Sequence, residues 1–205
     1  MNKRKILILF AHPRIDRSEA NAHMIKEIHD LEGITLVDLY AEYPRFEIDV
    51  NKEQQRLLDH DVIVFQHPLF WYSTPSILKE WQDLVLQYGF AYGSEGHALD
   101  DKLFLSAITA GGDKSAFTRE GYQHFEIREL LTPIEQTATL CRMIYLPPLV
   151  LYAAGHATEQ NRLEPHAKDY ARLLKALRDD RFNVKEALKH KTLCGLLDNL
   201  ITGGN

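Results

Sequence analysis

Cysteine is scarce in this chain. There are 2 in 205 residues, Cys141 and Cys194, and no CxxC pair. Thiols so few and so far apart exclude a disulfide framework and point to a reducing, cytoplasmic setting. Long apolar runs are missing as well, since none approaches the roughly 18–20 residues a membrane span needs. Basic charge is not in excess. The net charge of -5 argues against broad nucleic-acid binding, which leans on neutralising phosphates. The 10 histidines include no HExxH and no clustered His/Asp/Glu set, so they read as solvated or core groups and no metal is expected. The start, MNKRKILILFAHP, has the basic opening and apolar run of a secretory leader. The run from Ile6 to Ala11 falls short of the ~7–15 residues of a leader's apolar stretch, and no small-residue cleavage site follows. It is expected to be a first strand.

What remains is ordinary for a globular domain: 45% apolar and 26% charged residues, in a length suited to one core. Buried strands show as short β-branched or leucine-rich runs bounded by turn residues. The expected strands are KILILFAH (5–12), ITLVDLY (34–40), DVIVFQH (61–67), KLFLSAITAGG (102–112) and LPPLVLYAA (146–154), the last starting after Pro147-Pro148. Helical patterns fill the gaps. One runs from Ser18 to Leu31, and one from Asn51 to His60 with Asn51 as N-cap. Another follows Thr74-Pro75, with proline at the first helical position. Thr132-Pro133 repeats that signature, and Glu164 to Leu177 is amphipathic. Alternation of this kind predicts an α/β fold with a parallel sheet and helices on both faces. Right-handed crossovers make it doubly wound, with 2-1-3-4-5 the expected strand order. Ligands then bind off the carboxyl ends of the strands, at the loops after strands one, three and four.

Those three loops are the most unusual in the chain. The first, AHPRIDRSEAN, has no glycine, so it is neither a Walker loop nor GxGxxG. It ends at a helix start, where free N–H groups and the dipole favour an anion. His12, Arg14, Arg17, Ser18 and Asn21 add donors. The alternative is an ordinary capped helix with solvated arginines. The second, HPLFWYSTP, carries Leu69, Phe70, Trp71 and Tyr72 at a strand mouth, either as a core plug or as the wall for a planar ring. The third, TAGG, brings Gly111 and Gly112, which let backbone approach a ligand. Together the loops describe a seat for a phosphate-bearing, planar, apolar cofactor. Flavin mononucleotide fits that description.

Across roughly residues 5–178 the chain resembles the flavodoxin-like NAD(P)H:quinone oxidoreductase family. HPLFWYSTPSILKEWQDLVLQYGFAY is similar to that family's flavin-contacting segment, AHPxxxxSxAN to its phosphate loop and TAGG to its second flavin loop. DLYAEYPRFEIDVNKEQ, VIVFQHPLFWYS and CRMIYLPP resemble one branch more closely, the ancillary flavoproteins of glutathione-gated potassium-efflux (Kef) systems. The resemblance implies a flavodoxin-like domain over 1–180 with a C-terminal helical extension over 181–205. The extension packs on the domain, reaches a partner subunit or frays. It implies a cytoplasmic homodimer with FMN, or alternatively FAD, at the subunit interface, and NAD(P)H as co-substrate. A quinone or related acceptor takes the electron pair in ping-pong turnover.

Residue by residue, His12, Ser18 and Asn21, with Arg14 beside them, match the phosphate and ribityl contacts. Pro68, Leu69, Phe70, Trp71 and Tyr72 match the ring contacts, largely through backbone N–H groups. Thr109, Gly111 and Gly112 match the loop at the pyrimidine side. His124 matches a family histidine that supports negative charge on the reduced flavin. Its tyrosine partner falls at Phe117, or at Tyr122 in a shifted alignment, and a phenylalanine has no proton to give. The Kef branch implies an alternative: a regulatory subunit docking on the soluble part of a potassium/proton antiporter, peripheral at the inner face of the membrane, with little turnover of its own.

Overall fold

The computed structural model describes residues 3–203. Its centre is one parallel sheet. The first four strands are β1 (Ile6–Phe10), β2 (Ile34–Asp38), β3 (Val62–Pro68) and β4 (Leu103–Thr109). β5 (Ile144–Tyr145) and β6 (Leu149–Leu151) complete it, in the order β2-β1-β3-β4-β5 with β6 also on β4. The expected flavodoxin-like, doubly wound topology is therefore present. β1, β3 and β4 are buried along their whole length, which is why they read as continuous apolar runs.

Alternation along the strands builds a core on each face. Ile6, Ile8, Val62 and Val64 face one cluster, with Met24, Ile28, Tyr170 and Leu174 from α1 (Glu19–Ile28) and α7 (Leu163–Arg178). Leu7, Leu9, Ile63 and Phe65 face the other. There they meet Leu57 of α3 (Val50–Asp59), Ile77, Leu78 and Trp81 of α4 (Ser76–Val85), and Ile134 of α6 (Thr132–Leu140). Two single-turn helices, α2 (Leu39–Glu42) and α5 (Ile127–Leu130), finish the connections.

The ends of elements differ from expectation for local reasons. The second strand stops at Asp38, whose carboxylate accepts from Tyr40 N and Ala41 N and starts α2. Asp49, not Asn51, caps α3, accepting from Lys52 N at 3.0 Å. Pro75 is the N-cap of α4, one place ahead of the first helical position, with its carbonyl accepting from Leu78 N at 3.0 Å. The fifth strand begins before the prolines. Ile144 and Tyr145 pair with Leu103 and Phe104, the ladder breaks at Pro147-Pro148, and Leu149–Leu151 resumes along Ala107–Thr109. Prolines are tolerated because this is the edge of the sheet.

After α7 the chain forms two short helices, α8 (Val184–Ala187) and α9 (Leu197–Leu200). Phe182, Ala187, Leu193, Leu197 and Leu200 are buried in the α1/α7 cluster, so this segment packs on the domain.

Candidate functional site

The loops after β1, β3 and β4 meet at the carboxyl end of the sheet. In the first, a 3₁₀ turn at Ile15–Arg17 leads to Ser18, the N-cap of α1. Ser18 Oγ accepts from Asn21 N at 3.4 Å and from Asn21 Nδ2 at 3.0 Å. His12 Nδ1 accepts from Arg14 N at 3.1 Å, so its proton sits on Nε2 as a donor. Burial lowers the His12 pKa against smaller raising effects from the Asp16 and Asp38 carboxylates, which favours that neutral form. The Arg14 guanidinium is committed to Asp16, at 2.9 and 2.7 Å.

In the second loop, Phe70 and Ser73 exchange backbone hydrogen bonds at 3.1 and 2.9 Å. Between them Trp71 and Tyr72 both carry positive φ, 47° and 63°, as a type I′ hairpin turn requires. Trp71 is 92% exposed and Tyr72 50%, so the hairpin tip does not plug the core. Leu69 N donates to Thr109 O, and Phe70 N to Pro68 O and Ser73 O. These N–H groups are spent inside the protein, and Pro68 has none. Trp71 N and Tyr72 N, at the tip, find no protein acceptor among the described residues.

In the third loop the two glycines differ. A Cβ on Gly111 would meet nothing within 4 Å, whereas one on Gly112 would lie 3.1 Å from the Phe117 ring. Gly111 therefore leaves open backbone, and Gly112 makes room for Phe117. That ring is a core group, 7% exposed, and packs at a 49° tilt on Tyr152, 5.8 Å between centroids. The loop is braced from behind by Ala110 N to Leu151 O and Ala153 N to Gly112 O. The Gly111 and Gly112 N–H groups have no protein acceptor among the described residues.

The loops are tied together. His12 packs edge-on to Phe70 with ring centroids 5.6 Å apart. Asn21 Nδ2 reaches Thr109 Oγ1 at 3.4 Å, and Gln66 Nε2 reaches Asn21 Oδ1 at 3.4 Å. Tyr170 OH donates to Gln66 Oε1 at 3.1 Å. Gln66 and Tyr170 are absent from the sequence-based site. A lone glutamine ending VIVF was the available signal for the first; Tyr170 looks like any core aromatic of α7. His67, next in the strand, donates from Nδ1 to Pro68 O and has no partner at Nε2 among the described residues. Burial pushes its pKa down to about 4.

Tyr122 and His124 stand apart from this convergence. Tyr122 is 85% exposed. His124 is exposed too, at φ 59°, on a loop held by Gln123 N to Ala116 O and His124 N to Gly121 O. No hydrogen bond links either side chain to the three loops among the described residues. Nor do the described residues contain a metal-ligating cluster or a helix long and apolar enough to cross a membrane.

The family model Flavodoxin_2, described as a flavodoxin-like fold, matches residues 4–174. The chain belongs to this flavodoxin-like family. Among its relatives is the glutathione-regulated potassium-efflux system ancillary protein KefG of Yersinia pseudotuberculosis. That protein is 44% identical over 172 residues, covering 84% of this chain and 94% of the relative. Among flavodoxin-like structures, the general stress protein 14 of Treponema denticola, in complex with FMN, is 37% identical with a TM-score of 0.80. The match covers 84% of this chain and 99% of that one. An NADPH-quinone reductase from P. pentosaceus is 29% identical with a TM-score of 0.75, covering 83% and 97%. The resemblance to quinone reductases and Kef ancillary proteins is thus borne out.

Proposed function

We propose that this chain is a flavin-dependent oxidoreductase of the NAD(P)H:quinone type, with FMN seated across the three loops. One observation carries the proposal: the loops after β1, β3 and β4 are tied together by His12–Phe70 and Asn21–Thr109, and they carry two kinds of donor. The start of α1, Ser18, Thr109 and the Nε2–H of His12 suit a phosphate. The N–H groups of Trp71, Tyr72, Gly111 and Gly112, without a protein acceptor among the described residues, suit the polar edge of a planar ring, and the hairpin aromatics suit its face. The FMN complex of the T. denticola relative supports FMN over FAD. When bound, FMN supplies two-electron transfer between NAD(P)H and a quinone-like acceptor.

The chain's own residues do the rest. Neutral His12 and the α1 start hold the phosphate without a competing buried cation, since Arg14 is occupied by Asp16. The hairpin excludes water from one face. The open backbone at Gly111 polarises the ring edge. Trp71, Tyr72 and Tyr122 leave large rings in water, and a second copy of the chain covering them completes the site. We assign His124, with Tyr122 beside it, to proton support at that interface. His124→Gln is expected to slow flavin reduction on the order of 10²-fold with affinity nearly intact, read by stopped-flow bleaching with NAD(P)H. The proposal itself is tested by the mass of flavin released from purified protein. Apo-protein refolded with FMN or FAD that gains no flavin absorbance would defeat it.

The similarity to KefG favours a second, compatible reading: docking on the soluble part of a potassium/proton antiporter at the cytoplasmic face of the membrane. Co-purification with that antiporter domain tests it, and failure of the two to associate at micromolar concentrations removes it.

A further inference from the structure

A buried run of polar groups passes beneath the three loops. Tyr170 OH donates to Gln66 Oε1, Gln66 Nε2 to Asn21 Oδ1, and Asn21 Nδ2 to both Ser18 Oγ and Thr109 Oγ1. Tyr170 and Gln66 are fully buried, and Asn21 and Thr109 nearly so. Four elements share the run: α7, β3, α1 and β4.

Such a run has two self-consistent directions, because each amide can be turned over. As arranged here, the Ser18 and Thr109 hydroxyls accept from Asn21, and their own protons stay free. With both amides turned, Asn21 presents its oxygen and the hydroxyls spend their protons on it. Tyr170 decides between the two. In the turned arrangement Gln66 Nε2 would face the phenol oxygen. The phenol proton would then lack an acceptor, since Gln66 is the hydroxyl's one hydrogen-bond partner among the described residues, and an unpaired buried donor is the costly outcome.

We infer that Tyr170 and Gln66 are positioning residues for phosphate recognition, holding Asn21 so that the Ser18 and Thr109 hydroxyl protons are left for an anion at the start of α1. The inference rests on the flavin reading above. It also changes the role expected of Asn21. Its amide groups are committed inside the protein, so it orders donors instead of being one. On this inference the run acts at the phosphate, which moves Thr109 there from the pyrimidine side that the family resemblance implies. It therefore separates FMN from riboflavin, which has the same ring and ribityl chain and no phosphate.

The test titrates FMN and riboflavin into apo-protein of the wild type, Tyr170→Phe and Gln66→Leu, followed by flavin fluorescence. The wild type is expected to prefer FMN. In each variant the FMN Kd rises about 10-fold while the riboflavin Kd stays within about twofold. Gln66→Leu carries the test should Tyr170→Phe fail to fold. Equal weakening of both flavins means the run only braces the fold and overturns the inference. So does an unchanged FMN preference in a folded variant. A wild type that binds both flavins equally overturns this inference alone, whereas one that binds neither defeats the flavin reading and this inference with it.

Discussion

Trp71 and Tyr72 occupy the left-handed region in succession, where a residue with a Cβ costs roughly 1–2 kcal/mol and hairpins usually place Asn or Gly. Strain of this kind is retained at sites. Trp71→Gly is expected to stabilise apo-protein by up to about 1 kcal/mol, the relief less glycine's entropy, while FMN binding weakens. Melting of the apo form alongside FMN titration checks both signs; a lower apo melting temperature would make Trp71 a support of the fold. A second residue-scale outcome concerns His67 and His166, whose pKa values burial pushes down to about 4, with the Arg162 charge adding to the effect at His166. Above the ordinary histidine value of about 6.5 both are neutral, folded or unfolded. Between 6.5 and 4 the unfolded chain takes up protons that the folded one refuses, so stability falls as pH falls, by about 1.4 kcal/mol per pH unit for each histidine. Urea denaturation at pH 7, 6 and 5 measures the slope, and His67→Gln is expected to remove about half of it.

Between residues and fold lie the joints of elements, and one carboxylate holds three of them. Glu53 in α3 is fully buried. It accepts from Tyr43 OH at 2.6 Å and from Trp81 Nε1 at 2.9 Å, and it pairs with Arg56. Glu53→Leu leaves an indole N–H and a phenol without their partner, and leaves the Arg56 guanidinium with Glu42 alone at 3.4 Å. The expected cost is about 3 kcal/mol or more, read as a lower urea midpoint at unchanged slope. This joint also shows what was legible in the sequence. PSILKEW stood out as a motif, but its Trp81 serves Glu53 and the core, not the three loops. Strands were legible because two-sided burial writes itself as β-branched runs. Caps were less so: Asp49 and Asn51 are equally good N-caps by residue type, and only backbone geometry chooses. Of the site, the hairpin, the α1 start and TAGG were legible as odd loops. Phe117 under Gly112, Arg14 on Asp16, and the Gln66–Tyr170 run were not, because each depends on which distant side chains meet.

At the scale of the whole molecule, the segment after α7 belongs to the core. Ending the chain at Asp180 removes Phe182, Leu193, Leu197 and Leu200 from the α1/α7 cluster. At roughly 1.5–3 kcal/mol for each buried side chain, the loss rivals the ~5–15 kcal/mol that holds a domain together. The truncated chain is expected to show no cooperative melting transition by circular dichroism. The full chain is expected to sediment as two copies, and a monomer that binds FMN as tightly would show that the three loops need no cover. The interrupted fifth strand bears on how such copies meet. A sheet edge usually invites any extended peptide to lie down beside it and continue the ladder. Here the edge is already covered: Pro147 and Pro148 are buried, and the segment after α7 lies against them, with Leu193 N donating to Pro148 O at 3.0 Å and Cys194 Sγ to Val150 O at 3.3 Å. The molecule thereby keeps its backbone from acting as a template, and leaves recognition to side-chain surfaces, where a chosen partner can be told from a chance one.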